Sequence, residues 1–201
     1  MRVVGEDRER IWLYKPAGLP CFPPHDNPEG DCVLAQSALL LGDRGGAWPN
    51  GFAGGIAHRL DNATDGLLLV ARDADALARL RADWPHLQKF YRFRSGGVFT
   101  GAAVVTADIA HHPNRKDRMV VRRGPRTAHR GKWYPAWTRF APQEVGWWEA
   151  EIRTGVMHQV RIHAASAGVP LDGDVIYGGA PGEFRLTHVR VLGPGWRSPA
   201  L

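Results

Sequence analysis

The chain has 201 residues, and its 44% hydrophobic and 23% charged content is that of a globular protein rather than a disordered one. A net charge of +6 and a sequence pI of about 9.8 favour an anionic partner, of which nucleic acid is the commonest. The charged N-terminus lacks the apolar core of a signal peptide, and no apolar run reaches the roughly 20 residues that span a bilayer, so we expect a cytoplasmic protein with no membrane partner.

Short apolar runs separated by turn residues define the elements of the first ninety residues. We predict a strand over residues 11–14, helices over residues 32–42 and from residue 74 onward, extended segments over residues 55–60 and 66–72, and loops over residues 21–31 and 42–55. The continuous apolar content of residues 66–72 predicts burial on both faces. Asp73 is the expected N-cap of the second helix, whose Leu77 and Leu80 share one face.

The second half of the chain is richer in strands. We predict one long or two short strands over residues 89–109, a hairpin or excursion over residues 111–132, a strand over residues 147–152, a helix over residues 157–168 and a last strand over residues 184–194. Within residues 147–152, Trp148, Ala150 and Ile152 alternate with charged residues, which predicts one buried face. Because strands dominate and few helices lie between them, the sequence predicts an α+β fold.

Residues 111–132, called the basic segment here, carry most of the positive charge. Their local net charge is +7, more than that of the whole chain, because eight basic residues stand against the single acid Asp117. The basic residues are Arg115, Lys116, Arg118, Arg122, Arg123, Arg126, Arg130 and Lys132. This density predicts an anion-binding surface. The alternative interpretation is a solvated loop or hairpin face.

The nine histidines raise the question of a metal site, but their spacing predicts none. His158 and His163 are five residues apart in the sequence, which separates them by about 140° on a helix and places them on opposite faces of a strand. Cys21 and Cys32 show neither metal-ligand spacing nor a disulfide framework. The glycine-rich stretches lack the Lys-Ser/Thr of a P-loop, and no GxSxG nucleophile motif occurs.

The stretch AHRLDNATDGLLLVARD, residues 57–73, contains the most informative carboxylate. Asp61 follows Arg59 by two residues and lies at the mouth of a loop, with an apolar block behind it. Asp, Asn, Thr and Gly are ordinary loop residues, so one interpretation is a turn. The other interpretation is that Asp61 is a reacting group, and the stretch by itself leaves both open.

Several motifs in order connect this stretch to a known family. HRLDNATDGLLLVA, residues 58–71, resembles the catalytic motif of the RluA family of pseudouridine synthases. YKPAGLP and RMVV…GKWYPAWT match strand motifs of that family, and KFYRF falls where it has Lys-x-Tyr. TGVMHQVRIHAASAGVPLDGDVIYGG, residues 154–179, is similar to its Thr-Gly-Arg-Thr-His-Gln-Ile-Arg-x-His segment and to the Gly-Asp and Tyr-Gly that follow.

The resemblance implies a fold and a reaction. The fold is a mixed, mostly antiparallel sheet in two lobes with a central cleft and flanking helices, in a single catalytic domain over residues 1–201 without an N-terminal S4-like module. The reaction isomerises uridine to pseudouridine in ribosomal or transfer RNA: the N-glycosidic bond breaks, uracil turns and a C–C bond forms. No cofactor, metal or obligate protein partner is implied.

The resemblance also assigns roles to residues. Asp61 is the catalytic carboxylate, acting either as a nucleophile or as a base on the sugar. Arg161 pairs with Asp61 and orients it, and Tyr91 stacks on the base and can relay a proton. Without the motif, Arg161 would be interpreted as a surface helix residue and Tyr91 as a core strand residue. The expected RNA contacts are His58, Arg59, Arg115, Arg118, Arg122, Arg123, Arg126, Lys132, His158 and Gln159.

Departures from the family pattern concern substrate choice more than chemistry. Val156 and Met157 replace the usual Arg-Thr, Asp65 replaces a small residue before Gly66, and Phe93 replaces a small residue after the tyrosine. Val156 and Met157 support an alternative, a catalytically weak or inactive RNA-binding protein on the same fold. A weaker alternative is an unrelated basic hydrolase, for which the sequence shows no second catalytic group.

Overall fold

The structure, a computed structural model, describes residues 1–42, 48, 53–97 and 103–201. The chain divides into two compact units. The first comprises Met1–Leu87 and Thr187–Leu201, and the second comprises Gln88–Leu186. In the described part of the chain, no helix is both long and apolar enough to cross a bilayer. The single catalytic domain expected for residues 1–201 stays a prediction.

The described residues form twelve strands and three α-helices. In chain order the elements are β1 (Arg2–Glu6), β2 (Arg10–Lys15), α1 (Val33–Leu41), β3 (Asp65–Ala71), α2 (Ala74–Asp83), β4 (Gln88–Arg94), β5 (Val104–Val105), β6 (Ile109–His111), β7 (Met119–Val121), β8 (Arg130–Tyr134), β9 (Thr138–Pro142), β10 (Trp147–Ile152), α3 (Gln159–Ser166), β11 (Leu186–Gly193) and β12 (Trp196–Arg197). Short 3₁₀ turns cover Ala53–Gly55 and Trp84–His86.

The first unit contains a mixed sheet. Strands β1, β2 and β3 are antiparallel neighbours, and Lys15 at the end of β2 lies opposite Gly66. Strand β3 pairs in parallel with β11, where His188 also lies opposite Gly66, and β12 is antiparallel to β11. The parallel pair joins strands that are more than a hundred residues apart in the chain.

The core of the first unit forms around β3, whose residues from Gly66 to Ala71 are all buried. Helix α2 packs against this strand because its apolar residues lie on one face. Its first turn is capped by Asp73, whose carboxylate accepts the Ala76 N–H at 2.7 Å. The buried cluster consists of Trp12, Leu69, Ala71, Ala76, Leu77, Leu80, Leu87 and Val191.

Gly66 marks a close approach of two strands. Its φ of 113° lies in a region that favours glycine, and a Cβ there would come within 2.3 Å of the His188 carbonyl oxygen. The His188 ring then donates from Nδ1 to the Leu67 carbonyl at 2.6 Å. The loop that carries Asp61 therefore leads into a strand start that tolerates no side chain.

The second unit has two antiparallel sheets. Strands β4, β10, β9 and β5 form one sheet in that order, with Tyr91 on β4 opposite Ala150 on β10. Strands β7, β6 and β8 form a separate three-stranded sheet. Helix α3 packs against β7 and β9, and its first six residues are all buried.

Much of the predicted architecture is confirmed. The fold is α+β with a mixed, mostly antiparallel arrangement of strands. The strand over residues 11–14, the helix that ends at Gly42, the fully buried strand after Asp65 and the Asp73 cap are all present. The basic segment begins at the last residue of β6, contains its hairpin partner β7 and continues into β8. The two lobes and the central cleft stay predictions.

Other expectations differ from the structure. Residues 55–60 are not a strand, since only Ile56 bridges to Val70. Strand β1 falls in the charged N-terminus, for which no element was predicted. Glu151 was expected on a solvated face but is 4% exposed, because Arg139 and Arg153 pair with it. The predicted glycine-rich loop over residues 42–55 lies mostly outside the described residues.

Candidate active site

Asp61 lies in the first unit on the loop before β3, and its side chain is half-buried. Leu60, the residue before it, is held through both of its backbone polar groups. The Leu60 N–H donates to the Cys21 sulfur at 3.3 Å, and the Cys21 thiol donates to the Leu60 carbonyl at 3.4 Å. After it, the buried Thr64 donates its N–H to the Asp61 carbonyl at 3.0 Å. Buried groups therefore fix the backbone on both sides of the carboxylate.

Lys15 holds the next residue of the same loop. Its side chain is fully buried, and its ammonium group donates to the carbonyls of Pro16 and Asn62, at 2.9 and 3.2 Å. The Gly18 N–H donates to the same Asn62 carbonyl at 2.7 Å. Burial lowers the pKa of Lys15, and nearby negative charge, including that of Asp61, offsets part of this effect.

The two RNA contacts predicted beside Asp61 differ in their surroundings. Arg59 is exposed. His58 is half-buried, and its Nε2 accepts the Leu69 N–H at 3.2 Å while its ring packs on Trp84 with centroids 5.1 Å apart. This geometry favours a structural role for His58, which ties the Asp61 loop to β3, and leaves Arg59 as the better candidate for a phosphate contact.

Tyr91 lies in the second unit on β4 and is only 8% exposed. Lys89 and Phe93 share its face of the strand and are also buried. Phe93, found where the resemblance leads one to expect a small residue, packs edge-on against Phe140 with centroids 6.0 Å apart. Phe93 is therefore a core residue that supports the strand beneath Tyr91.

Lys89 is a buried cation two residues before Tyr91. It is 2% exposed, its ammonium group donates to the Arg153 carbonyl at 3.4 Å, and burial lowers its pKa to about 8. An unfolded lysine has a pKa near 10.4, so between about pH 8 and pH 10 the unfolded chain binds more protons than the folded chain. The cost of burying this charge is therefore fully present below pH 8 and fades as the pH rises.

Lys89→Met should stabilise the protein at pH 7, by up to about 3 kcal/mol, because it removes that buried charge while keeping the aliphatic stem. The difference from wild type should shrink toward pH 10. Urea unfolding at pH 7 and pH 10 measures it, with the exposed Lys132→Met as control. If the variant and the wild type differ in free energy of unfolding by the same amount at both pH values, the pKa of Lys89 is not lowered in the folded protein.

Arg161 lies in α3 of the second unit and is buried. Its Nε donates to Asp174 Oδ2 at 2.7 Å and its Nη2 donates to Asp174 Oδ1 at 2.8 Å, a two-point pair whose carboxylate side chain is fully buried. The interpretation of Arg161 as a surface helix residue is therefore wrong. The sequence did not identify Asp174 as a partner.

Aromatic rings and backbone groups complete the Arg161 pair. The guanidinium carbon lies 5.1 Å from the centroid of the Tyr177 ring and 5.2 Å from that of Phe184. Asp174 also accepts the N–H groups of Ile176 and Tyr177, at 3.2 and 3.3 Å. The guanidinium is thus held in one orientation by its two-point pair with the carboxylate and by the two rings beside it.

The two residues at the start of α3 that were predicted to bind RNA, the N-cap His158 and the first helical residue Gln159, differ. His158 has a left-handed backbone, with φ of 56°, and its Nδ1 hydrogen bonds to the Tyr177 hydroxyl at 2.9 Å. Gln159 is 2% exposed; its amide oxygen accepts from Thr154 and Val156, and its amide nitrogen donates to Trp137 and Thr138. Because all four positions of the amide are used, Gln159 does not fit the predicted RNA contact.

The basic segment presents its charges outward. Six of the predicted RNA contacts lie in this segment. Arg118 is half-buried, and the other five are exposed, namely Arg115, Arg122, Arg123, Arg126 and Lys132. Aromatic rings accompany some of them: the Arg122 guanidinium lies 5.7 Å from the Trp133 ring centroid, and His129 packs on the same ring at 4.3 Å. This combination of exposed cations and rings suits single-stranded nucleic acid.

The departures Val156 and Met157 have a packing explanation. Both lie against a buried apolar cluster formed by Ile109, Met119, Ala136 and Ile162. Apolar side chains at these two positions cover the cluster. They leave the Arg161–Asp174 pair in place.

The described residues offer a half-buried carboxylate, a buried phenol and a buried guanidinium on fixed elements. Asp61 belongs to the first unit, whereas Tyr91 and Arg161 belong to the second. In the part of the chain that the structure describes, no group of three His, Cys, Asp or Glu side chains is placed to hold a metal. A carboxylate suits nucleophilic or acid–base chemistry, and a phenol suits acid–base chemistry.

Comparison with known proteins gives a family match over most of the chain. The family model described as RNA pseudouridylate synthase matches residues 10–166. Proteins named ribosomal large subunit pseudouridine synthase D are 34% identical in Xanthomonas campestris, over 90% of this chain and 52% of the relative, and 32% identical in Escherichia coli, over 89% and 53%. The chain spans about half the length of the curated relatives it matches.

Solved structures resemble the fold at low sequence identity. The human RNA pseudouridylate synthase domain containing 4 protein has a TM-score of 0.68 and 20% identity, covering 94% of this chain and 83% of the other. The domain containing 1 protein has a TM-score of 0.69 and 20% identity, covering 94% and 77%. These matches confirm the predicted fold class.

Proposed function

We propose that this chain, which belongs to the RNA pseudouridylate synthase family, isomerises uridine to pseudouridine in RNA with Asp61 as the reacting carboxylate. The observation that carries the proposal is the family match over residues 10–166, which includes Asp61, Tyr91 and Arg161. Each of these lies on an element held by buried contacts: the clamped loop before β3, the strand β4 and the helix α3.

Each residue has a task in the proposed reaction. Uridine must leave its stack, which costs a few kcal/mol that a binding pocket offsets. Tyr91 stacks on the extruded base, and Asp61 reacts with the nucleoside as a nucleophile or as a base on the sugar. The guanidinium of Arg161 has five N–H groups, of which two donate to Asp174. The proposed partner of the remaining N–H groups of Arg161 is the Asp61 carboxylate.

The proposed substrate class is ribosomal RNA. The names of the relatives from Xanthomonas campestris and Escherichia coli refer to the large ribosomal subunit. The exposed cations of the basic segment suit any RNA backbone, and the exposure of Arg59, two residues before Asp61, supports a phosphate contact for this residue. Action in the cytoplasm, without a cofactor, is part of this proposal.

Mapping pseudouridines in total RNA from cells with and without the gene tests the function. One or more uridines of ribosomal RNA should lose modification when the gene is removed and regain it on complementation. A site lost only from transfer RNA would keep the reaction and change the substrate class. No lost site, with RNA binding retained by the purified protein, would favour the inactive RNA-binding alternative.

Replacing Arg122, Arg123 and Arg126 by Gln should make RNA binding less dependent on salt. Each lost phosphate contact reduces the slope of log affinity against log salt by about 0.7 to 0.9, so the triple variant should be flatter by about 2 to 3. Binding to one RNA fragment at several salt concentrations measures the slope.

The matched control removes three exposed arginines of the first unit, Arg8, Arg79 and Arg81. It changes the net charge equally, so a general charge effect would alter both slopes alike. If the variant in the basic segment has the wild-type slope, that segment is a solvated surface and not an RNA contact.

A further inference from the structure

A cavity of about 440 Å³ lies in the second unit between β7 and α3. Its apolar walls come from Met119, Val121 and Ile162, and its polar groups include those of Arg123 and Tyr177. Tyr91 and Arg161 do not line it. A cavity of this size falls within the roughly 300–1,000 Å³ of small-molecule sites, and nothing in the proposed reaction uses it.

The apolar part of the cavity is held by packing. Met119 and Ile162 belong to a buried cluster against which Val156, Met157 and Tyr177 also pack, so this wall is held in place. Ala165 provides a small side chain on the adjacent turn of α3. A flat apolar ring would therefore find a rigid surface with room above it.

The polar part of the cavity is also ordered. The Thr127 hydroxyl accepts the N–H groups of Arg123 and Gly124, at 3.0 and 3.1 Å, which pins the turn that carries Arg123. The Tyr177 hydroxyl accepts the Met119 N–H at 2.9 Å. The Arg123 side chain is exposed within a segment of net charge +7, so the entrance favours an anion.

We propose that this cavity binds the base of a second nucleotide of the RNA, with Arg123 on its phosphate. The proposal rests on the proposed function, because it takes the ligand to be RNA. Sequence-specific recognition of RNA uses bases splayed out of single-stranded regions, and an apolar wall beside an arginine matches a base with its phosphate. The Tyr177 ring also packs on Arg161, so one residue connects this cavity with the arginine of the proposed active site.

Methyl NMR of the wild-type protein tests the site without requiring turnover. The methyl groups of Ile162, Met119 and Val121 report directly from the cavity wall. The probes are the 5′-monophosphates of adenosine, guanosine, cytidine and uridine, with inorganic phosphate as reference. At least one nucleotide should shift these methyl signals in a saturable way, and phosphate alone should not.

Variants locate the binding within the cavity. Ala165→Leu fills the cavity and should abolish the shifts, whereas Ala78→Leu, the same change on an exposed position of α2, should leave them unchanged.

The charge of Arg123 is tested separately. Arg123→Gln should weaken nucleotide binding about tenfold. Arg126→Gln, which removes the same charge from the same segment but does not line the cavity, should change binding much less. Ser166→Leu, at an exposed position of the cavity edge, is a second way to narrow it.

The outcomes separate this proposal from the proposed function. Shifts with phosphate alone, no shift with any nucleotide, or shifts that persist in both Ala165→Leu and Ser166→Leu would overturn the nucleotide site. If pseudouridine is formed in RNA under any of those results, the proposed function stands without the site. If the wild type forms no pseudouridine but binds nucleotides in the cavity, the site stands and the reaction fails.

Discussion

Asp61→Asn should form no detectable pseudouridine while folding and binding RNA like the wild type. Asn keeps the size and shape of the side chain and removes its charge and basicity, and the half-buried position loses no core volume. Melting temperature should therefore stay within about 2 °C. Loss of a covalent or basic catalyst commonly costs several powers of ten in rate. Melting, RNA affinity and pseudouridine yield are measured on one preparation.

Asp65→Asn is the matched control for this prediction. Asp65 is the first residue of β3, four residues after Asp61, and accepts the Tyr14 hydroxyl at 2.6 Å, so its substitution affects a structural hydrogen bond rather than chemistry. It should retain turnover per folded molecule. If Asp61 were only a turn residue, Asp61→Asn would instead lose roughly 1 kcal/mol of stability and keep its activity. Activity in folded Asp61→Asn would remove this aspartate from the mechanism.

The elements that the sequence predicted well are those fixed by local patterns. The continuous apolar run before Arg72 predicted a strand buried on both faces, and Asp73 before an amphipathic segment predicted a helix start. Features that depend on partners distant in the chain were not predicted. Glu151 is buried because Arg139, on the neighbouring strand β9, pairs with it at 2.6 Å, and alternation along β10 alone cannot show that.

The same distinction holds for the proposed site. Asp61, Tyr91 and Arg161 were found through motifs, whereas the groups that position them were not. Asp174 follows Arg161 by thirteen residues in a turn-like stretch, and the Gly-Asp of the similar segment was its only signal. Lys15 lies 46 residues before Asp61 in a strand motif, and only the fold shows that its ammonium group holds the Asp61 loop.

Arg161→Lys should lower turnover by about a hundredfold with little change in KM. Lysine keeps the positive charge but loses the planar fork that donates two parallel bonds to Asp174. The cation then has no fixed orientation between Tyr177 and Phe184, and small misplacements of a catalytic group cost about this much. A fall in kcat at constant KM is the signature of an interaction made in the transition state.

Two further variants separate orientation from folding. Arg161→Met leaves the fully buried Asp174 carboxylate without its partner and should cost about 3–5 kcal/mol of stability, which urea unfolding measures. Arg139→Lys is the control, because Arg139 also pairs with a buried acid of the second unit but lies outside the proposed site, and it should keep wild-type kcat. Arg161→Lys with wild-type kcat would show that the fork on Asp174 supports the fold alone. A kcat that falls in Arg161→Lys but not in Arg139→Lys, at equal folded fraction, would place the oriented guanidinium of Arg161 in the reaction.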